Sequence, residues 1–241
     1  MINRLEPDYS DLPGRRPLPH HYKRGDSVFE HIDVSVITPY YNTEELFVET
    51  FVALQAQSLQ NWEWIIVDDG STDEESIKRL ASVSAKDDRI KVIRQTNAGP
   101  GAARNTAFLN TSGRYICLLD SDDMVEPTYL EKCVWFLDSN PEFAFCNSYS
   151  VVFGTQEYLW TTGFERGKEH LHANSGPPIS VIRRAAYEDC GGFDESIRFG
   201  HEDWDFWLAM AKAGHWGYTI REYLQWYRKR SDGRFEQIMR S

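Results

Sequence analysis

From Val34 onward, short β-rich apolar runs alternate with longer stretches whose apolar residues recur at helical spacing. Val34–Ile37 reads as a strand, and Thr43–Gln57, with Leu46, Val48, Phe51, Val52 and Leu54 among polar residues, as a helix. The same alternation continues through a strand at Trp62–Val67, a helix at Glu74–Ala85, a strand at Lys91–Arg94 and a helix at Gly101–Asn110. A strand at Arg114–Leu119, a helix at Pro127–Leu137 and a strand at Phe143–Cys146 follow. Ser71, Thr72 and Asp73 are cap candidates for the second helix. Such a βαβ rhythm predicts an α/β fold with a mostly parallel central sheet and helices on both faces. Beyond it, residues 154–178 carry several Gly and Pro and no clear period, which predicts a long functional or mobile loop. Ile179–Ile182 reads as a strand, Glu202–Ala213 as a strongly patterned helix ended by Gly214, and Trp216–Ile220 as a last strand.

Residues 1–33 differ: Pro7, Pro13, Pro17 and Pro19 interrupt a segment without apolar periodicity, read as an extended arm or linker. The rest divides into a first half at 34–150 and a second, smaller half at 151–241 within one domain.

Composition narrows the function. The 241-residue chain carries 26 Lys+Arg against 37 Asp+Glu, a formal net charge of −11, which disfavours a non-specific nucleic-acid binder and an anionic membrane surface. Cys117, Cys133, Cys146 and Cys190 form no C-x-x-C pair and read as free thiols in a reducing compartment. There is no apolar leader at the N-terminus and no run long enough for a membrane span, so a cytoplasmic location is expected, with peripheral association at the inner membrane face left open. The chain itself could be one domain of a longer protein.

In a mostly parallel sheet ligands bind beyond the carboxyl ends of the strands, so the residues just after each strand carry the candidate chemistry. After the first come Thr38-Pro-Tyr-Tyr-Asn42 and then Glu44, whose tyrosines offer a flat surface to a base. After the second comes Asp68-Asp-Gly-Ser-Thr-Asp73, equally what an ordinary turn and N-cap would use. After the third comes Asn97-Ala-Gly-Pro-Gly-Ala-Ala-Arg-Asn105, where Gly99 allows a ligand close to the backbone and Arg104 can clamp a phosphate or hold neighbouring carboxylates. After the fourth comes Asp120-Ser-Asp-Asp123, whose carboxylates repel one another unless a cation such as Mg²⁺ or Mn²⁺ sits among them. Finally, Glu202, Asp203 and Asp205 crowd a helix start, where acids also gain from the helix dipole. His201 is an alternative base.

Taken together, these runs resemble a family 2 inverting glycosyltransferase of GT-A fold. The resemblance rests on Thr38–Asn42, Val67–Asp73, Asn97–Asn105, Leu119–Asp123, Gly191-Gly-Phe-Asp194 and Glu202-Asp-Trp-Asp205, in the family's order, over roughly residues 33–230. It implies a nucleotide-diphospho-sugar donor, with UDP as the family-level choice, a divalent metal held at a DxD motif, and transfer of a single sugar to a glycan, lipid-linked or protein acceptor. Carried over by position, Pro39, Tyr41 and Glu44 would line the nucleoside pocket. Asp69 would meet the base with Asp68 beside it, Gly99 and Arg104 would lie near the nucleotide, and Asp120 would serve the ribose. Asp122, with Asp123 sharing the role, would hold the metal; Asp203 would be the catalytic base, with Glu202 orienting it or the acceptor. The loop 154–178 and the tail at Tyr227-Arg-Lys-Arg230 would close over the substrates. Two departures stand out: Arg228 is followed by Lys229 and Arg230 where relatives often carry a His, and the polymerase-type Gln-x-x-Arg-Trp is absent at Gln225–Arg228. A sugar-1-phosphate nucleotidyltransferase would need a basic Gly-rich loop after the first strand, where this chain has Pro39–Asn42. A non-catalytic nucleotide-sugar-binding pseudoenzyme is the remaining alternative.

Overall fold

The second strand explains the sheet's position. Trp62–Asp68 (β2) is buried at every residue, so it reads as a continuous apolar run because both of its faces are covered. It pairs in parallel with Val34–Tyr40 (β1) on one side and Ile90–Arg94 (β3) on the other, and Tyr115–Leu118 (β4) lies parallel to β1 on β1's far side. The chain is seen in a computed structural model, which describes residues 32–164, 171, 174, 179–198 and 200–231. The arm at 1–31 and the end at 232–241 lie outside the described residues, as does most of 165–178.

Among the described residues the sheet has nine strands in the order β3-β2-β1-β4-β8-β6-β9-β5, with β7 on β6. The remaining strands are Met124–Val125 (β5), Phe145–Gly154 (β6), Tyr158–Trp160 (β7), Ser180–Arg183 (β8) and Gly217–Lys229 (β9). β8 is antiparallel to both β4 and β6, whereas β9 runs parallel to β6. The helices are Leu46–Gln55 (α1), Glu74–Ser84 (α2), Pro100–Phe108 (α3), Tyr129–Ser139 (α4), Arg184–Asp189 (α5) and Glu202–Lys212 (α6). Two cores sandwich the sheet. One holds Phe47, Leu54, Leu80, Val83, Leu130 and Val134 from α1, α2 and α4. The other holds Ala103, Ala107, Ala186, Phe206 and Met210 from α3, α5 and α6. This is the expected α/β sheet with helices on both faces.

Several boundaries differ from the sequence expectation. The last strand reaches Lys229 rather than Ile220, because it pairs with β6 throughout and with β5 near its end. The strand expected at Phe143–Cys146 runs on to Gly154. Part of the supposed irregular stretch 154–178 is β7. Tyr227–Lys229, expected in a closing tail, are therefore residues of the sheet. Helix α1 starts at Leu46 rather than Thr43 because Asn42 and Glu44 adopt positive φ values of 48° and 56°. The thiols fit expectation: all four cysteines are free, and Cys117, Cys133 and Cys146 are buried. No helix among the described residues is long and apolar enough to cross a membrane.

Candidate active site

The strand order reverses at β1, with β2 and β3 on one side and β4 on the other, and a crevice opens there at the carboxyl ends. Pairing of β1 with β4 stops at Ile37 opposite Leu118, and Pro39, which has no N–H, stands two residues on. The Thr38 hydroxyl donates to the Leu119 carbonyl at 2.7 Å and accepts from Trp64 Nε1 at 2.8 Å, holding the two strand ends as they part.

On the β1 and β2 side, Asn42 Oδ1 accepts from the Thr72 and Asp73 backbone N–H groups, and the Ser76 hydroxyl accepts from the Glu44 N–H. Asp73 caps α2 by accepting from Ser76 N at 2.6 Å. Asp68 is buried and accepts from Arg94 Nη1 at 2.8 Å and from Ser71 N at 2.8 Å. Asp69 accepts from Gln95 Nε2, Ala98 N and Gly99 N at 2.8–2.9 Å, so both its oxygens brace the turn ahead of α3. Gly99 takes φ +94° there. Pro39 is half-buried, while Tyr41 and Glu44 are exposed. Glu44 lines a cavity of about 400 Å³ with Thr43, Glu75, Arg79 and Arg230.

Arg104 joins the two halves of the site. Fully buried on α3, it donates to Asp120 Oδ1 at 2.6 Å and to Glu202 Oε1 at 3.3 Å. Burial pulls its pKa down, but the Asp120 and Glu202 charges more than restore it, so it stays above the ordinary arginine value. The acidic turn is pinned at several points. Thr43 Oγ1 and Ser121 Oγ lie 2.6 Å apart, Thr50 Oγ1 donates to the Ser121 carbonyl, and Arg228 Nε donates to the Asp122 carbonyl. The Arg228 N–H donates to Asp123 Oδ1 at 2.8 Å. Asp123 is 1% exposed and its Oδ2 has no hydrogen-bond partner. The Asp122 side chain is 25% exposed and lies 3.6 Å from Arg230. Burial, then the charge on Asp120, pushes the Asp122 pKa up to about 6; burial, then Asp122 and Asp120, pushes Asp123 well above the usual range. A cation placed here would relieve that mutual repulsion and meet the orphaned Asp123 oxygen, so this donor set suits an oxygen-seeking divalent ion. Among the described residues, no three His, Cys, Asp or Glu side chains make a ready-formed metal cage.

On the other side of Arg104, α6 begins with Glu202, Asp203 and Asp205 in its first turn. Asp203 Oδ2 accepts from Asn174 Nδ2 at 2.9 Å, and its Oδ1 accepts from Trp204 N. Burial raises the Asp203 pKa, against the lowering effect of the Asn174 hydrogen bond. Tyr227 stands next to the acidic turn, since its neighbour Arg228 donates its N–H to Asp123 Oδ1; burial first, then the charges of Asp123, Asp120, Asp122 and Asp203, raise its phenol far above the ordinary value. His201 takes φ +64° ahead of α6 and packs near Trp204.

The structure thus unites Arg104, Asp120, Asp122, Asp123, Glu202 and Asp203 at one crevice. Asp68 and Asp69 stand at its β2 end with their oxygens bound to loop donors. Sequence reasoning missed Asn174, which lies in an irregular stretch with no period to flag it. It also missed the bracing role of Asn105, whose side chain bonds the backbone N–H and carbonyl of Phe193. The Asn-Thr spacing after Arg104 gave no sign of that partner 88 positions away.

A parallel half-sheet at β3-β2-β1-β4, an acidic turn after β4 and an acid-led helix tied to that turn through Arg104 place the fold in the GT-A class. A family model described as glycosyl transferase family 2 matches residues 35–203. A Rickettsia felis protein named an uncharacterized glycosyltransferase is 33% identical over 200 residues, covering 81% of this chain and 33% of its own length. EpsE of Bacillus subtilis, which carries a glycosyltransferase name, is 34% identical over 214 residues, covering 83% of this chain and 74% of its own. The crystal structure of Staphylococcus aureus TarS superposes with a TM-score of 0.68 at 23% identity, covering 87% of this chain and 38% of that one. A TarS 1–349 structure in complex with UDP-GlcNAc gives a TM-score of 0.68 at 22% identity, over 85% of this chain and 61% of that one. The chain belongs to glycosyltransferase family 2, and it spans about a third of the length of the Rickettsia relatives.

Proposed function

We propose that this chain is a metal-dependent inverting glycosyltransferase that moves one sugar from a nucleotide-diphospho-sugar to an acceptor hydroxyl. The observation that carries the reading is Arg104, whose buried guanidinium ties the acidic turn at Asp120 to Glu202, the residue beside Asp203. It holds the acidic turn and the acid-led start of α6 together around one buried cation. The donor's nucleoside lies against Pro39, Tyr41 and Glu44 with its base toward Asp69, and Asp120 receives the ribose. Asp122, with Asp123 behind it, would hold Mg²⁺ or Mn²⁺, which when bound supplies charge neutralisation at the leaving diphosphate.

Asp203 accepts the proton of the acceptor hydroxyl as that oxygen attacks the anomeric carbon. The bond from that carbon to the diphosphate breaks on the opposite face, so one displacement inverts the configuration and no covalent nucleophile is needed. The raised pKa of Asp203 makes its carboxylate a stronger proton acceptor than an ordinary aspartate. Uridine diphosphate is our choice of nucleotide, supported by the TarS structures solved with UDP and UDP-GlcNAc. The buried free thiols support a reducing, cytoplasmic setting.

A donor screen for nucleotide-sugar hydrolysis, with and without Mn²⁺, tests the reading alongside Asp203→Asn and Asp122→Ala. We expect UDP plus Mn²⁺ to raise the melting temperature, Asp203→Asn to abolish turnover while keeping that rise, and Asp122→Ala to lose it. The reading fails if no donor is bound or hydrolysed and Asp122→Ala leaves metal affinity unchanged. Donor binding without any turnover would instead identify a non-catalytic nucleotide-sugar-binding protein.

A further inference from the structure

Three aromatic rings form a strip leading away from the crevice. Tyr158 and Trp160 on β7 have ring centroids 6.1 Å apart with planes tilted by 41°, and Trp160 and Tyr227 on β9 are 6.2 Å apart, edge to face at 72°, so each ring offers its own face. Register places them on one side of the sheet: Val152 of β6 lies opposite both Tyr158 and Tyr227, and Ser150 lies opposite Trp160. The strip starts next to the acidic turn, where Arg228, the neighbour of Tyr227, donates its N–H to Asp123 Oδ1, and ends at Tyr158, which is 41% exposed on the outer strand. Its edges are polar. Trp160 Nε1 donates to Thr162 Oγ1 at 2.5 Å, and Lys229 Nζ lies 5.4 Å from the Tyr227 ring.

We propose that this strip is the acceptor site and that the acceptor is a carbohydrate chain, whose successive pyranose rings stack on Tyr227, Trp160 and Tyr158. The inference rests on the transferase reading and names its acceptor class. A pyranose offers an apolar C–H face and a rim of hydroxyls, which matches flat rings edged by hydrogen-bonding groups. A lipid tail would call for an aliphatic groove, and the apolar Leu159 of the same strand lies on the opposite face, paired with Val151. Tyr158 is exposed and Trp160 and Tyr227 are partly so, and aromatic surface reaching solvent from a reaction centre is what a binding groove uses. With its end unit at Tyr227, next to the acidic turn, a chain on this strip would present a hydroxyl at the proposed reaction centre.

The test uses the full chain loaded with UDP and Mn²⁺. The probes are free oligosaccharides of one to four hexopyranose units in glucose, galactose and N-acetylglucosamine series, read by saturation-transfer NMR. Binding should tighten from one unit to three, fall at least tenfold in Trp160→Ala and in Tyr158→Ala, and recover in part in Trp160→Phe. Leu159→Ala should bind as the parent does, and thermal melts establish that each variant is folded. The inference is overturned if no saccharide binds, if affinity ignores chain length, or if both aromatic variants bind as the parent does. Preference for a dispersed lipid or a peptide over every saccharide overturns it too. UDP binding without saccharide binding sinks this inference alone; saccharide binding with no binding or hydrolysis of any nucleotide sugar sinks the transferase reading and leaves a saccharide site.

Discussion

Asn174 Nδ2 donates to Asp203 Oδ2 at 2.9 Å, so a side chain from an irregular stretch grips the carboxylate we assign as the base. A hydrogen bond to a carboxylate favours its charged form, so losing it must raise the Asp203 pKa further. Since the base works deprotonated, Asn174→Ala should move the acid limb of the pH–rate profile to higher pH. Activity on the acid side of the profile should fall most, by about tenfold, the scale of a hydrogen bond to a charged group. Glu202 and Arg104 also act on Asp203, and they stay in place in this variant. A profile that does not move would show that Asn174 leaves the base untouched.

Arg104→Ala should be far more damaging. It leaves Glu202, 7% exposed, and Asp120 without their shared cation. Breaking a buried pair on one side costs about 3–5 kcal/mol. Urea denaturation should show that loss. Arg104→Lys should recover part of it, because a lysine is a point charge and does not reproduce the guanidinium fork. Equal stability of the Ala variant and the parent would refute this account of the site's framework.

Glu63 supplies a pH dependence away from the chemistry. Its Oε1 accepts from Ser35 Oγ, Ser112 N and Ser112 Oγ, and Lys91 lies near Oε2. Burial raises its pKa, but these donors outweigh burial and hold it below the usual value. Asp87 is held lower still, chiefly by hydrogen bonds from Arg89, against an opposing effect of burial. A depressed carboxyl contributes stability that is complete above its unfolded pKa, about 4, and is lost as pH falls toward the folded value. Glu63→Ala should therefore cost about 1–3 kcal/mol at pH 7, from the orphaned donors. The gap to the parent should narrow below about pH 4. Melts across pH 3–7 check the sign; a gap that widens in acid contradicts it.

Gly70 is fixed by its backbone. It takes φ +76°, and a Cβ there would fall 2.9 Å from the Asn97 backbone nitrogen. Gly70→Ala should destabilise the chain by about 1–3 kcal/mol from strain alone and press the β2 loop against the turn that Asp69 braces. Tighter UDP binding by this variant than by the parent would contradict that picture.

How far the sequence reached depended on the range of the forces involved. The buried strand at 62–67 and the helix at Glu74–Ala85 were legible because apolar periodicity and an Asp73 cap are local signals. The length of β9 was hidden, because Arg221 and Glu222 interrupt its apolar pattern and its last residues are held by pairing with β6 and β5. The start of α1 was hidden because bonds to Asn42 and Glu44 from the turn at 71–76 set their positive φ.

The sequence by itself determined the α/β rhythm, the family motifs and the residue types at each strand end, since spacing along the chain decides which side chains follow which strand. Only the tertiary structure decided their partners: Asp69 bonded to the turn before α3, Arg104 shared between Asp120 and Glu202, Asn174 on Asp203, and Arg228 against the acidic turn. Those contacts join residues up to 106 positions apart. A hydrogen bond or ion pair acts over a few ångströms of space, whatever the separation along the chain, so folding alone could choose them.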